Sequence, residues 1–335
     1  MTSSFSVPVT RFTKVNLSLY PKYYSIFPLV YFKVEILSLI QFLADSPHQS
    51  YYTQFNQTQL NLTQSDQGTG PYPASYTLDD TLRNHTIFAP ISPPPGLKLP
   101  VLLWGQTACT RNSTVFGTFL LEVASHGFMI IADGIPDGPE MPEAIAYTLW
   151  PSPQGLVEAA AWIVKNAGTG KYTNVDATRL AAAGHSCGAI QSYFAQDQSK
   201  EIKYIGIFDS GVRNDTIATR PLLDIVARIK NPIFYFFGGP EDIAAPNGER
   251  DYTNIPASTP KWKGILPSVG HGGTFWEPHA GEYAVAATRW LEWVLRGNQT
   301  SAKYFTTTAN KTGTAQGGGF LVEHAKLNQI KVKPI

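Results

Sequence analysis

From about residue 70 onward, short apolar runs alternate with stretches whose apolar residues recur at helical spacing, and this alternation constrains the fold more than any other feature. The runs fall at 101–104, 128–132, 179–183, 204–208, 232–237 and 262–266. The helical stretches fall at 115–125, 155–167, 188–195, 222–229 and 282–295, the last ending near Gly297. Strands with almost no charge, bracketed by helices, belong in a mostly parallel sheet covered on both faces. The expected class is therefore α/β, with a core of about 230 residues that one such domain can reach. The segments at 204–208 and 232–237 would be the sixth and seventh strands. Little chain lies between them, so a large cap has no room. The Pro- and Gly-rich stretch 134–153 is the candidate for a small rim, giving a minimal cap. Residues 68–300 are read as the catalytic domain, 1–67 as a leader and flexible segment, and 301–335 as a C-terminal extension, loosely held from Asn310.

Charged residues make up only 15% of the 335, and Lys+Arg 26 against Asp+Glu 25 leave a formal charge of +1. A chain without basic excess has little to neutralise phosphates, so nucleic acid is not an expected partner. The 43% hydrophobic content supports a large core. Eight of the 14 asparagines stand in Asn-X-Ser/Thr: Asn16, Asn56, Asn61, Asn84, Asn112, Asn214, Asn298 and Asn310. Chance predicts roughly two. The excess points to a secreted glycoprotein whose sugars supply solubility. Asn112 is the weakest candidate, because a glycan there would crowd the loop after the third strand. Pro28, Lys33 and Glu35 interrupt the apolar residues 24–44. No stable membrane span is expected there. Residues 36–44 have the character of a signal-peptide core.

The chemistry concentrates in Gly184-His185-Ser186-Cys187-Gly188, between an expected strand and an expected helix. In that context G-x-S-x-G reads as a nucleophile elbow, a tight turn that lifts the serine hydroxyl above the sheet. Its base is expected at His271, in Val269-Gly270-His271-Gly272-Gly273, after the last strand and before the last helix. His185 should point away from the hydroxyl. His126 should bond the end of a helix, and His48, His85, His279 and His324 read as surface residues. Two aspartates compete for the third position. Asp242 follows the seventh strand and is favoured; Asp209 follows the sixth; Glu241 ranks third. The backbone N–H groups of Cys187 and Gln106, with Thr107 as second choice after Gln106, are the candidate donors of an oxyanion hole. If both loops serve one oxygen, Cys109 and Cys187 come close enough to form a disulfide. Trp150, Phe275 and Trp276 are candidate pocket walls. No metal site and no cofactor are expected, since there is no Cys/His cluster with ligand spacing.

Several segments resemble serine α/β-hydrolases of the dienelactone-hydrolase, chlorophyllase and polyester-hydrolase group. They are Trp104-Gly105 with Cys109, Ala124-Ser125-His126-Gly127, and residues 184–188. Gly70-Pro71-Tyr72-Pro73-Ala74, residues 238–244 (Gly-Gly-Pro-x-Asp-Ile-Ala) and Gly270-His271-Gly272-Gly273-Thr274 are similar to secreted fungal esterases of that group. The likeness covers about residues 68–300. It implies the α/β-hydrolase fold and carboxylic-ester hydrolysis by Ser186, His271 and Asp242; the expected partner is a small-molecule or polymeric ester, and the expected state a monomer. Gln106-Thr107-Ala108 departs from the glycines more usual at that loop. Two alternatives stand beside this reading. One is a hydrolase fold recruited to a biosynthetic lactone opening, cyclisation or dehydration. The other is a non-catalytic binding protein.

Overall fold

The computed structural model describes residues 66–138, 152–213, 224–306 and 318–335, with the backbone of 308–309 and 314–315. The candidate signal core, the sequons at Asn16, Asn56, Asn61, Asn214 and Asn310, Trp150 and most of the 134–153 rim lie outside the described residues.

Strands β1 (Ala74–Thr77), β2 (His85–Pro90), β3 (Leu99–Gly105), β4 (Met129–Asp133), β5 (Val175–His185), β6 (Ile202–Phe208), β7 (Ile233–Phe237) and β8 (Lys261–Ile265) form one sheet with three C-terminal strands. These are β9 (Thr308–Ala309), β10 (Thr314–Ala315) and β11 (Leu321–Ala325). The spatial order is β1-β2-β4-β3-β5-β6-β7-β8-β11-β10-β9. Strands β4, β3, β5, β6, β7 and β8 run parallel to their neighbours, with antiparallel strands on either side. This is the expected α/β-hydrolase arrangement of a mostly parallel sheet, and the apolar runs are its central strands.

Helices α1 (Gly117–Ser125), α2 (Gln154–Asn166), α3 (Cys187–Gln198), α4 (Ala245–Asn254), α5 (Gly281–Arg296) and α6 (Gln299–Thr306) cover it. Strand alternation sorts the core into two faces. Leu102, Trp104, Ile130, Ala132, Phe234 and Phe236 pack with α1 and α5, around Phe119, Trp290 and Leu291. Their chain neighbours Val101, Leu103, Met129 and Ile131 face the other way, against Leu156, Ala160 and Ile163 of α2. Farther along that second face, Ile205, Ile207, Tyr235 and Phe237 pack with Tyr193 and Phe194 of α3. Helix α5 ends where expected, on Gly297 at φ 74.

The loosely held tail is a correction. Leu321–Ala325 pairs antiparallel with Lys261–Ile265 along its full length. Lys263 Nζ lies 2.6 Å from Glu249 and 3.0 Å from Glu323, joining α4 and β11 across β8. The extension closes what would otherwise be an open edge. Its alternation is half polar, so composition alone hid the strand. Among the described residues, no helix is long and apolar enough to cross a membrane.

Candidate functional site

Every residue of the site stands at or just beyond the C-terminal end of a parallel strand. Ser186 links β5 to α3 with φ 52 and ψ −118, a region that side chains other than glycine rarely adopt. The turn is possible because three glycines meet beneath it. A Cβ on Gly188 would lie 2.1 Å from the Gly105 carbonyl carbon, and one on Gly184 would lie 2.5 Å from that of Gly188. Helix α3 can therefore start directly against β3. Ser186 N–H donates to Phe208 O at 3.0 Å, and Ser210 Oγ donates to Ser186 O at 2.7 Å.

His271 reaches this serine from the loop after β8. Its Nε2 lies 3.0 Å from Ser186 Oγ, and its Nδ1 lies 2.7 Å from Asp242 Oδ1. Asp242 follows β7 and is 1% exposed. The same Oδ1 accepts the Ala244 N–H at 2.9 Å. Burial raises the Asp242 carboxyl, but the bond from His271, its positive charge when protonated and the Ala244 N–H together bring it below its usual value. Of the two competing aspartates, Asp242 is thus the one on His271. Glu241 faces solvent. A hydroxyl bonded to an imidazole that is itself held by a buried carboxylate can lose its proton as it attacks an electrophile.

His185 does point away from the hydroxyl. Its ring is fully buried between Phe116 and Phe275, and Nε2 lies 2.6 Å from the backbone oxygen of His271. Burial pushes this imidazole down to about 4, so it is neutral and donates from Nε2. It fixes the backbone of His271. Sequence reasoning missed this role, because the bond joins residues 86 apart and no local pattern encodes it.

Cys109 and Cys187 form a disulfide, with Cα atoms 5.2 Å apart and a sequence separation of 78. The bridge ties the loop after β3 to the first turn of α3. That loop turns back at Ala108 and Cys109, both near φ 50. Gln106 is 1% exposed. Its backbone nitrogen lies against Gly188, 2.5 Å from where a Cβ there would be. Thr107 is also buried. Ser113 N–H donates to Ile135 O at 3.1 Å and Ile135 N–H to Arg111 O at 2.9 Å, and Arg111 pairs with Asp133 at 2.9 Å. The loop is thereby fastened at both ends.

Two expectations change. Phe275 is not a pocket wall: it is 1% exposed, inside a cluster with Trp104, Phe119 and Phe208. Trp276, the next residue, is 36% exposed beside Phe116 and keeps the candidate role. His85 is not at the surface; it is 1% exposed, with Nε2 on Gly155 O at 2.8 Å. His126 bonds the end of α1 as expected, its backbone N–H donating to Val123 O at 3.2 Å, and its Nε2 lies 3.2 Å from Glu122 Oε1. Of the described sequons, Asn84 and Asn298 are exposed. Asn112 is 4% exposed, its side-chain oxygen accepting from Thr114 N–H at 3.0 Å. Among the described residues, no group of three or more His, Cys, Asp or Glu side chains is placed to hold a metal ion.

No protein-family model matches this chain, and no curated protein matches it. The reading of the site therefore rests on its own residues.

Proposed function

We propose that the protein is a serine hydrolase of carboxylic esters. The observation that carries this reading is the hydrogen-bonded series Ser186–His271–Asp242, with the serine on a left-handed turn at the N-terminus of α3. Ser186 Oγ attacks the ester carbonyl while His271 Nε2 takes its proton. His271 then passes that proton to the departing alcohol, leaving an acyl group on Ser186. Water, deprotonated by the same imidazole, cleaves the acyl-enzyme and restores the serine. Asp242 holds His271 in the tautomer that this requires and stabilises the imidazolium. The backbone N–H groups of Cys187 and Gln106 are the proposed donors to the developing oxyanion, their spacing held by the disulfide.

Resemblance to secreted fungal esterases of the dienelactone-hydrolase, chlorophyllase and polyester-hydrolase group extends the proposal to a secreted glycoprotein. The disulfide and the exposed sequons Asn84 and Asn298 support that extension. Turnover of short-chain p-nitrophenyl esters and covalent labelling by a fluorophosphonate test the reading. Both should occur in the wild type and vanish in Ser186→Ala. Labelling without turnover would favour a dedicated pathway enzyme, and absence of both would leave a binding protein. Endoglycosidase treatment of protein secreted by a eukaryotic host should lower its apparent mass.

A further inference from the structure

Two buried carboxyl groups sit behind His271, and the mechanism above uses only one. Asp209 directly follows β6 with φ 44 and is fully buried. Its Oδ1 accepts the Tyr283 hydroxyl at 2.7 Å. Its Oδ2 has no donor, and neither has Oδ2 of Asp242. The two side chains share one buried cluster around His271: Asp242 Oδ1 lies 2.7 Å from His271 Nδ1, and Asp209 Oδ2 lies 3.6 Å from the His185 Nε2 that holds His271 O. Each therefore has one oxygen, Oδ2, free to meet the other.

Two carboxylates in contact away from water cannot both stay ionised unless a cation lies between them. None does. His185 Nε2 is 3.6 Å from Asp209 Oδ2, but its proton is given to His271 O and its ring is neutral. The Nδ1–H of His271 is given to Asp242 Oδ1. Tyr283 is a neutral donor, its own hydroxyl held well above its ordinary range by burial and by the neighbouring Asp209. One proton must therefore reside on the pair. Asp242 accepts hydrogen bonds from His271 and from the Ala244 N–H, whereas Asp209 accepts one, from Tyr283.

We propose that Asp209 is a neutral carboxylic acid that donates its proton to Asp242, and that it is the positioning residue that fixes Asp242 behind His271. This rests on reading Ser186, His271 and Asp242 as the catalytic set. Burial first, and the charge of Asp242 second, push Asp209 well above the usual carboxylate range, in keeping with the geometry. With the proton in place the pair carries one negative charge, enough to balance one imidazolium. Both oxygens of Asp242 are then answered, so the carboxylate cannot rotate away from Nδ1.

The charge state can be read without turnover. At mildly alkaline pH the infrared spectrum of the wild type should contain the carbonyl stretch of a protonated, buried carboxylic acid. Asp209→Asn should abolish that band. If the wild type lacks it, or Asp209→Asn retains it, Asp209 is an anion and the proposal fails. Kinetics on p-nitrophenyl acetate then test the positioning role. Asparagine keeps a neutral donor toward Asp242 and an acceptor for Tyr283, so Asp209→Asn should hold kcat within about threefold and leave the acidic limb of kcat/KM in place. Asp209→Ala removes the donor and leaves Asp242 a stronger base, so kcat should fall about tenfold or more and the acidic limb should move to higher pH. A limb that moves down by about one unit in Asp209→Asn would mean that a negative charge was removed, and would overturn the proposal. Equal behaviour of Asp209→Ala and Asp209→Asn would overturn the positioning role. Should Asp209→Ala not fold, the infrared band and the asparagine profile still decide. A wild type that neither turns over esters nor labels would defeat the hydrolase reading, while the band would still report the proton.

Discussion

Three residues apart on the segment leaving β6 lie two buried acidic networks of opposite character. At Asp209 the chain joins the site, where Oδ2 atoms of both Asp209 and Asp242 lack an assigned donor. At Val212 it joins a network centred on Asp251 of α4. Asp251 Oδ2 accepts the Val212 N–H at 2.6 Å and the Tyr193 hydroxyl at 3.3 Å, and Oδ1 accepts Arg250 Nη2 at 2.9 Å. Tyr193 and Tyr235 share a hydrogen bond of 2.7 Å. Every oxygen of Asp251 is answered. A satisfied buried network rigidifies a fold, whereas unanswered oxygens are tolerated where a proton must be held or moved. The Asp251 network is the scaffold, and it grips the strand end that presents Asp209 and Ser210 to the site.

The largest expected effects separate the two networks by activity. Ser186→Ala and His271→Ala should each lower kcat by at least about 10³-fold, because nucleophile and base act together. Asp242→Asn should cost a similar order by favouring the wrong imidazole tautomer. All three should melt near the wild-type temperature. Asp251→Asn should change kcat by less than about threefold, since nothing in its network touches the nucleophile. A kinetic loss in Asp251→Asn as large as that in Asp242→Asn would erase the distinction.

The contrast also explains what could be read from the sequence. Ser186, His271 and Asp242 were legible because each lies in a short glycine-bounded motif after an apolar strand. The central strands were legible because their residues are apolar on both faces. Asp209 was visible only as a competitor for the acid. Its contact with Tyr283 joins residues 74 apart, and no local pattern encodes it. Asp251 lies in α4, a helix whose strongly polar sequence reads as a loop. Strands β1 and β2 were missed because an antiparallel edge need not be continuously apolar.

Next in size is the disulfide, which bears on the site side of the comparison. Loop-closure entropy for 78 residues gives about 4–5 kcal/mol, an upper figure for what reduction should remove. Thermal unfolding with and without reductant measures it. Because Cys187 follows Ser186 and Cys109 lies in the Gln106 loop, kcat should fall at temperatures where the reduced protein remains folded. Unchanged kcat in the folded, reduced protein would show that the loop keeps its place without the bridge.

A smaller effect, on the scaffold side, is expected from Asp251→Ala. It strands Arg250, whose guanidinium also reaches Val212 O and Asn247 Oδ1, and leaves the Val212 N–H and a tyrosine hydroxyl short of an acceptor. A loss of about 3 kcal/mol follows from breaking a buried, hydrogen-bonded charge. Urea denaturation should show it, with fluorophosphonate labelling intact in the folded fraction. Stability within about 0.5 kcal/mol of wild type would mean that the network contributes little.

The smallest effect concerns the pH dependence of that scaffold. Burial raises the Asp251 carboxyl to about 6, against the Val212 N–H and Arg250, which act to lower it. Unfolded, an aspartate releases its proton near about 3.9. Between those values the folded chain holds a proton that the unfolded chain has lost. Stability contributed at Asp251 is therefore greatest at the acidic end of the window and declines as pH rises through it, by about 2–3 kcal/mol at most. Other groups titrate in the same range, so the quantity to measure is the stability difference between wild type and Asp251→Asn. Asparagine cannot titrate, and its amide keeps an oxygen for the Val212 N–H. As pH rises from about 4 to about 7, the wild type should lose ground to the variant. If the ion pair with Arg250 outweighs burial, Asp251 has a depressed pKa instead, and the wild type should gain ground over the same range. Denaturation at four pH values across that window distinguishes the two signs. A wild type that gains would mean that this network is held together by charge, and that the site and the scaffold differ less than their hydrogen bonds indicate.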